Sequence, residues 1–152
     1  MTGLASLRRA ALEDLTALIS LQRAAYARNR EILGCEPLPL MVDYADILKS
    51  HEVWLAGGEA APDGALILEA RKDDLLIWSI AVAPAAQGRR LGNDLLAAAE
   101  TRARELGHRL LRLYTGEKLG ANIAWYRRHG YAVERVEALS DRNIVHMVKA
   151  IA

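Results

Sequence analysis

The sequence predicts an α/β fold, a mixed sheet flanked by helices, and three features of its 152 residues carry that expectation. Leu75–Val82 is apolar at nearly every position, the pattern of a central strand covered on both faces. Segments with apolar residues every three or four positions lie on either side of it, the period of helices that bury one stripe. Strand-type and helix-type segments succeed one another as strand, two helices, three strands, helix, strand, helix, two strands. No repeat, low-complexity tract or linker interrupts this order, so a single domain over residues 1–152 is expected.

Leu4 to Arg8 opens the succession as a short strand. Asp14 to Arg30 follows as a helix with Leu15, Leu18, Ile19, Gln22 and Tyr26 on one stripe. Pro37 and Pro39 stop it, because each disfavours helical geometry in the residue before it. Asp43 is placed to cap a short helix running through Lys49. Strands are expected over Glu52 to Ala56 and Ala65 to Arg71, with turn chemistry at Gly57-Gly58 and Pro62-Asp63-Gly64 between them. Asp73-Asp74 turns the chain into Leu75–Val82. A long helix then carries Leu91, Leu95, Ala98, Arg102 and Leu106 on its stripe, and Gly107 suits its end. Arg109 to Tyr114 alternates as a strand does. Asn122 starts a short helix ended by Gly130, and strands at Tyr131 to Val136 and Ile144 to Lys149 close the chain.

Composition narrows the classes of function. Twenty Lys and Arg stand against nineteen Asp and Glu, a net charge of +1, which argues against a general nucleic-acid surface. The chain is 52% hydrophobic and 26% charged, enough to fill a core and too apolar for disorder. The single cysteine, Cys35, excludes an intrachain disulfide framework. The four histidines have no ligand spacing, so no metal is expected. No apolar run approaches the roughly 18 residues of a membrane span, and Met1 to Arg9 lacks a signal-peptide stretch; a cytoplasmic protein with no membrane partner follows.

The chemistry concentrates where Leu75–Val82 meets Gln87-Gly88-Arg89-Arg90-Leu91-Gly92 and the helix beyond. A helix N-terminus presents unpaired amides and the positive end of its dipole, glycines let an anion approach, and two arginines add charge. A phosphate or pyrophosphate cradle fits this pattern, as does a tight turn with solvated arginines. The glycine spacing matches neither a P-loop nor a dinucleotide fingerprint.

Val82-x-Pro84-x-x-Gln87-Gly88-Arg89-Arg90-Leu91-Gly92-x-x-Leu95-Leu96 resembles the signature of the GNAT superfamily of N-acetyltransferases, with Arg90 in place of its middle glycine. Asn122-Ile123-Ala124-Trp125-Tyr126-Arg127-Arg128-His129-Gly130-Tyr131 is similar to the family's late motif. The resemblance spans nearly the whole chain. It implies a mostly antiparallel mixed sheet with about four helices, splayed between Leu75–Val82 and Arg109–Tyr114 to hold acetyl-coenzyme A. Amides of Gly88, Arg89, Arg90, Leu91 and Gly92, with Gln87, would meet the pyrophosphate, and Ile80, Ala81 and Val82 the pantetheine arm.

The same resemblance implies an N-acetyltransferase acting on a primary amine of a small molecule or peptide, by direct attack in a ternary complex. Tyr126 stands where the family often places the phenol that protonates the departing thiolate; a packed core tyrosine is the structural alternative. Asn122 resembles the family's asparagine beside the cofactor arm, and equally suits a helix cap. Several relatives carry a carboxylate base on the strand before the turn, and Ile77-Trp78-Ser79-Ile80 has none. Glu36, Glu69, Asp74 and His146 are the remaining candidates. Tyr26, Arg30, Glu36, Tyr44 and Trp78 are expected on the acceptor side. A non-catalytic acyl-coenzyme A sensor on the same fold is the rival reading, and the chain is expected to be a monomer or homodimer.

Overall fold

The computed structural model describes residues 4–58 and 60–152, and its regular elements follow the sequence reading closely. In chain order they are β1 (Arg8–Arg9), α1 (Leu15–Leu33), α2 (Tyr44–Ser50), β2 (Glu52–Gly57), β3 (Pro62–Ala70), β4 (Leu75–Val82), α3 (Leu91–Glu105), β5 (Leu110–Gly116), α4 (Gly120–Arg128), β6 (Ala132–Ala138) and β7 (Asn143–Ala150). The seven strands form one sheet in the order β1-β2-β3-β4-β5-β7-β6. Every neighbouring pair is antiparallel except β4 and β5, which are parallel and joined through α3.

Two apolar clusters fix the layers. On one face Leu66, Leu68, Leu75 and Ile77 pack with Leu95, Leu96 and Ala99 of α3, and Trp125 and Tyr126 of α4 pack against them. On the other, Leu18 and Leu21 of α1 and Ile47 of α2 cover Val53, Leu55, Ala65 and Ile67. β4 supplies side chains to both, which is why its sequence is apolar at every position but Ser79. Each fully buried leucine contributes about 1.5–3 kcal/mol.

A bulge positions the site. Ile67 pairs with Ser79 and Leu68 with Ile77, leaving Trp78 as an extra residue on β4. Such an insertion bends and twists the strand that carries it. Pairing between β4 and β5 ends at the same level, with Ile77 opposite Leu113. Beyond that level β5 stays with β7 as far as Gly116, while β4 stays with β3 as far as Val82. The two strands therefore part, and one backbone edge of residues 78–82 faces the gap.

Two expectations are corrected. The segment from Leu4 is a single 3-10 turn, Leu4–Ser6, and the strand is only Arg8–Arg9. The Leu7 amide donates to the Leu4 carbonyl at 3.0 Å and closes that turn, while a bidentate pair between Arg8 and Asp14, with Asp14 also accepting from the Ala11 amide, braces the residues after the strand. α4 begins at Gly120 with Leu119 at its cap, so Asn122 lies inside the first turn and caps nothing. Other shifts are small: α1 runs on to Leu33, where Gly34 takes a left-handed conformation at φ 74°. Asp43 caps α2 as expected, accepting from the Ala45 amide at 2.9 Å.

Candidate acyl-transfer cleft

The gap between β4 and β5 opens into a cleft of about 900 Å³. One end lies at the N-terminus of α3. Gly88 at φ 84° and Arg90 at φ 63° both adopt left-handed geometry, folding the turn back on itself. Among the described residues, the amides from Gly88 to Asn93 have no hydrogen-bond acceptor, the first α3 bond of this region being Asp94 N to Arg90 O. Six successive open donors at a helix start form a site for a phosphate-type anion. Added methyls at Gly88 would meet nothing within 4 Å, whereas at Gly92 they would touch the Trp125 ring at 3.4 Å. Trp125 Nε1 donates to Asn93 Oδ1 at 3.1 Å, tying α4 to α3 beside the cradle.

The expected binding residues gather here with one exception. Ile80, Ala81, Val82, Gln87, Gly88 and Arg90 line the cleft, and so do Leu91, Gly92, Asn122 and Tyr126. The Arg89 side chain does not: its guanidinium turns back to the Ala85 carbonyl at 3.2 Å. Arg90 stands where the motif has glycine, and φ 63° shows why glycine suits that place: an L-residue there costs about 1–2 kcal/mol.

Midway along the cleft, two phenols differ in their bonding. Tyr26 Oη lies 2.8 Å from Ser79 Oγ, and Gln22 Nε2 donates to Ser79 Oγ at 3.1 Å and to Tyr44 Oη at 2.8 Å. Burial pushes the Tyr26 phenol up to about 12 against the opposing Ser79 hydrogen bond. Tyr44, also bonded to the Pro39 carbonyl, is raised by burial too. This buried polar set occupies the place on β4 where a carboxylate would sit. Tyr126 lines the cleft, and its hydroxyl makes no hydrogen bond among the described residues. Burial raises its pKa well above that of an ordinary phenol, so it is protonated at neutral pH.

At the other end, Leu33 at the end of α1 and Pro37, Leu38 and Pro39 of the α1–α2 loop line the cleft with Trp78 and Tyr114. Arg142, on the β6–β7 turn, donates to the Glu36 carbonyl at 2.6 Å and reaches Met41 Sδ at 3.8 Å, so the two loops are strapped together. The proposed bases scatter. Glu36 is paired with Arg30 at 2.8 Å. Asp74 is held below the usual carboxylate range by Arg71, then by Arg112. Glu69 lies 3.9 Å from His51. His146 bonds Glu137 on β6. None of the described side chains lining the cleft is a carboxylate or an imidazole, and Cys35 does not line it. Asn93, Tyr114 and Arg142 are cleft residues that sequence reasoning missed; only Asn93, one position past the glycine turn, carried a local signal.

A splayed sheet with an anion cradle at a helix start defines a domain built to hold a long, phosphate-bearing ligand beside a strand edge. The family described as the acetyltransferase (GNAT) domain matches residues 49–133, more than half of the sequence, and the chain belongs to that family. A GCN5-related N-acetyltransferase from Rhodopseudomonas palustris superposes with a TM-score of 0.78 at 18% identity, over 99% of this chain and 98% of that one. PaiA N-acetyltransferase from Thermoplasma acidophilum, solved with coenzyme A, gives 0.77 at 18% identity, over 95% and 97%. The ribosomal-protein-S18-alanine N-acetyltransferase of Escherichia coli gives 0.77 at 18%, over 96% and 93%. At these identities the likeness is one of fold. No curated protein matches the sequence. No helix among the described residues is long and apolar enough to cross a membrane.

Proposed function

We propose that this acetyltransferase moves the acetyl group of acetyl-coenzyme A onto a primary amine, by direct attack within a ternary complex. The observation that carries this reading is the conjunction of six open amides at Gly88 to Asn93, the unpaired edge of β4 and the unbonded Tyr126 hydroxyl along one cleft. The cosubstrate supplies an activated thioester. Amides 88–93 and the Arg90 charge would hold its pyrophosphate, and the edge at Ile80, Ala81 and Val82 would pair with its arm as a neighbouring strand does. Gln87 and Asn122, both on the cleft wall, would add polar contacts to the same arm.

Holding thioester and amine side by side supplies most of the rate through proximity. An amide near Ala81 or Val82 would stabilise the oxyanion as it forms. Tyr126, protonated at neutral pH, would give its proton to the departing sulfur. The strap from Arg142 to the Glu36 carbonyl fixes the loops at the end of the cleft, which would favour a small amine over a folded protein as acceptor.

One observation favours a non-catalytic acyl-coenzyme A sensor instead: the cleft lining holds no carboxylate or imidazole base. Coenzyme A binding by calorimetry, followed by thiol release with a broad amine panel, separates the readings. Binding with turnover of any amine is expected. Binding without turnover supports the sensor, and absence of binding defeats both.

A further inference from the structure

A second cavity, of about 430 Å³, lies on the sheet face beyond the cover of α1 and α2, which pack on β2, β3 and β4. Tyr114 is a wall of both this cavity and the cleft. His146 pairs directly with Tyr114 across β5 and β7, their rings 5.6 Å apart, and lines the second cavity. Ile144, two residues earlier on β7 and so on the same face, lines the cleft. The His146 imidazole is thus one strand step from the acceptor end. Its Nε2 lies 2.8 Å from Glu137 Oε1 on β6, and its Nδ1 makes no hydrogen bond among the described residues.

We propose that His146 is the general base of the reaction, with Glu137 as the residue that positions it, and that the acceptor amine enters past Tyr114 from this second cavity. The inference rests on the acetyl-transfer reading and supplies the base that the cleft itself lacks. Glu137 selects the tautomer with hydrogen on Nε2 and holds the ring in place, leaving Nδ1 as proton acceptor. Nδ1 takes a proton from the acceptor's ammonium. The freed lone pair forms the C–N bond to the thioester carbonyl and the C–S bond breaks. The thiolate takes the Tyr126 proton, and Tyr126 recovers one from the nitrogen of the new amide. One proton remains on His146 and leaves to solvent, which balances the step.

The charges around His146 support this assignment. From β6 it faces Glu137, with Arg135 3.7 Å from that carboxylate, and Glu134. From β5 it faces Tyr114 and Arg112, and across the cavity Arg71 and Asp74 of the β3–β4 turn. Arg112 is committed to Asp74 and Glu134, and Arg71 to Asp74. Glu137, which Arg135 approaches only at 3.7 Å, is the carboxylate that hydrogen-bonds the imidazole, at 2.8 Å.

The test is the pH dependence of kcat/KM for an amine turned over by the native chain, compared with H146N and E137Q. H146N is expected to lose roughly 100-fold at neutral pH and to lose the acidic limb of the native profile, while binding coenzyme A unchanged by calorimetry. E137Q, altered at an exposed carboxylate, is expected to lose roughly tenfold in kcat with KM for the amine nearly unchanged, and E137D to recover part of that loss. A native-like kcat in E137Q together with a native-like profile in folded H146N overturns the inference and leaves acetyl transfer standing. If H146N does not fold, the kcat of E137Q decides alone. No turnover of any amine by the native chain overturns both.

Discussion

Tyr126 and Arg90 show how single side chains take meaning from their surroundings. Tyr26 and Tyr126 line the cleft; Tyr26 spends its hydroxyl on Ser79, as the buried Tyr44 spends its own on Gln22 and Pro39. Among the described residues the Tyr126 hydroxyl has no hydrogen-bond partner, so its removal breaks no bond among them. Tyr126→Phe is therefore expected to lower kcat at least about tenfold with coenzyme A affinity unchanged. Steady-state kinetics and calorimetry on the same preparation check this, and an unaltered kcat removes Tyr126 from the mechanism. The two arginines of the turn should also separate. Arg90 lines the cleft, whereas Arg89 bonds the Ala85 carbonyl. Alanine keeps the backbone cost at position 90, so Arg90→Ala isolates its charge. It is expected to weaken coenzyme A about threefold to tenfold, more at low salt, with Arg89→Ala nearer native. Equal losses in titrations at two ionic strengths refute that division.

At the scale of elements, the site is made by departures from regular structure. The bulge at Trp78 turns β4 away from β5, and the left-handed residues 88 and 90 aim the α3 amides into the gap. The two loops at the acceptor end are tied to each other by the Arg142 side chain, which is only 5% exposed. A charged donor bonded to a carbonyl in that setting is worth about 1.5–3 kcal/mol. Arg142→Ala is expected to cost about 2 kcal/mol in urea unfolding and to raise KM for the amine more than KM for the thioester. An amine KM at the native value shows that the strap does not shape the acceptor end. Most elements were legible in the sequence, because caps, proline stops and apolar periods are local. Leu75–Val82 was recognisable to the residue for that reason. The first strand is shorter than its sequence suggests because Leu4–Ser6 closes a turn through Leu7 N to Leu4 O, and only Arg8 and Arg9 find partners on β2.

Across the whole molecule, ionisable groups divide into two sets with opposite dependence on pH. Asp14, Glu52 and Asp74 are lowered chiefly by hydrogen bonds from Arg8, Arg102 and Arg71. A carboxylate lowered in the folded state binds fewer protons there, so its stabilisation is full above the unfolded value near 4 and fades as pH falls through the folded one. His51, lowered by burial, adds a loss that begins as pH drops through about 6.5. Tyr26, Tyr44, Tyr126 and Tyr131 are raised by burial. The folded state keeps their protons longer, so stability is full below about pH 10 and declines above it. Unfolding free energies measured by urea from pH 3 to 11 are expected to form a plateau between about pH 7 and 9. Stability that keeps rising above pH 10 contradicts the buried phenols.

The sequence by itself determined the order and type of the elements, the glycine turn that starts α3, and the two motifs that mark the family. These are written in spacing along one segment, and local backbone preference reads them out. Only the tertiary structure decided where the acceptor end lies and which groups meet there. Tyr114 and His146 are opposed because β7 returns to pair with β5 after an intervening helix and strand, and nothing local to either residue encodes that register. The separation of β4 from β5, the Arg142 strap and the unspent hydroxyl of Tyr126 are likewise long-range. Each depends on pairing and packing between segments that are distant in the chain, which no local period records.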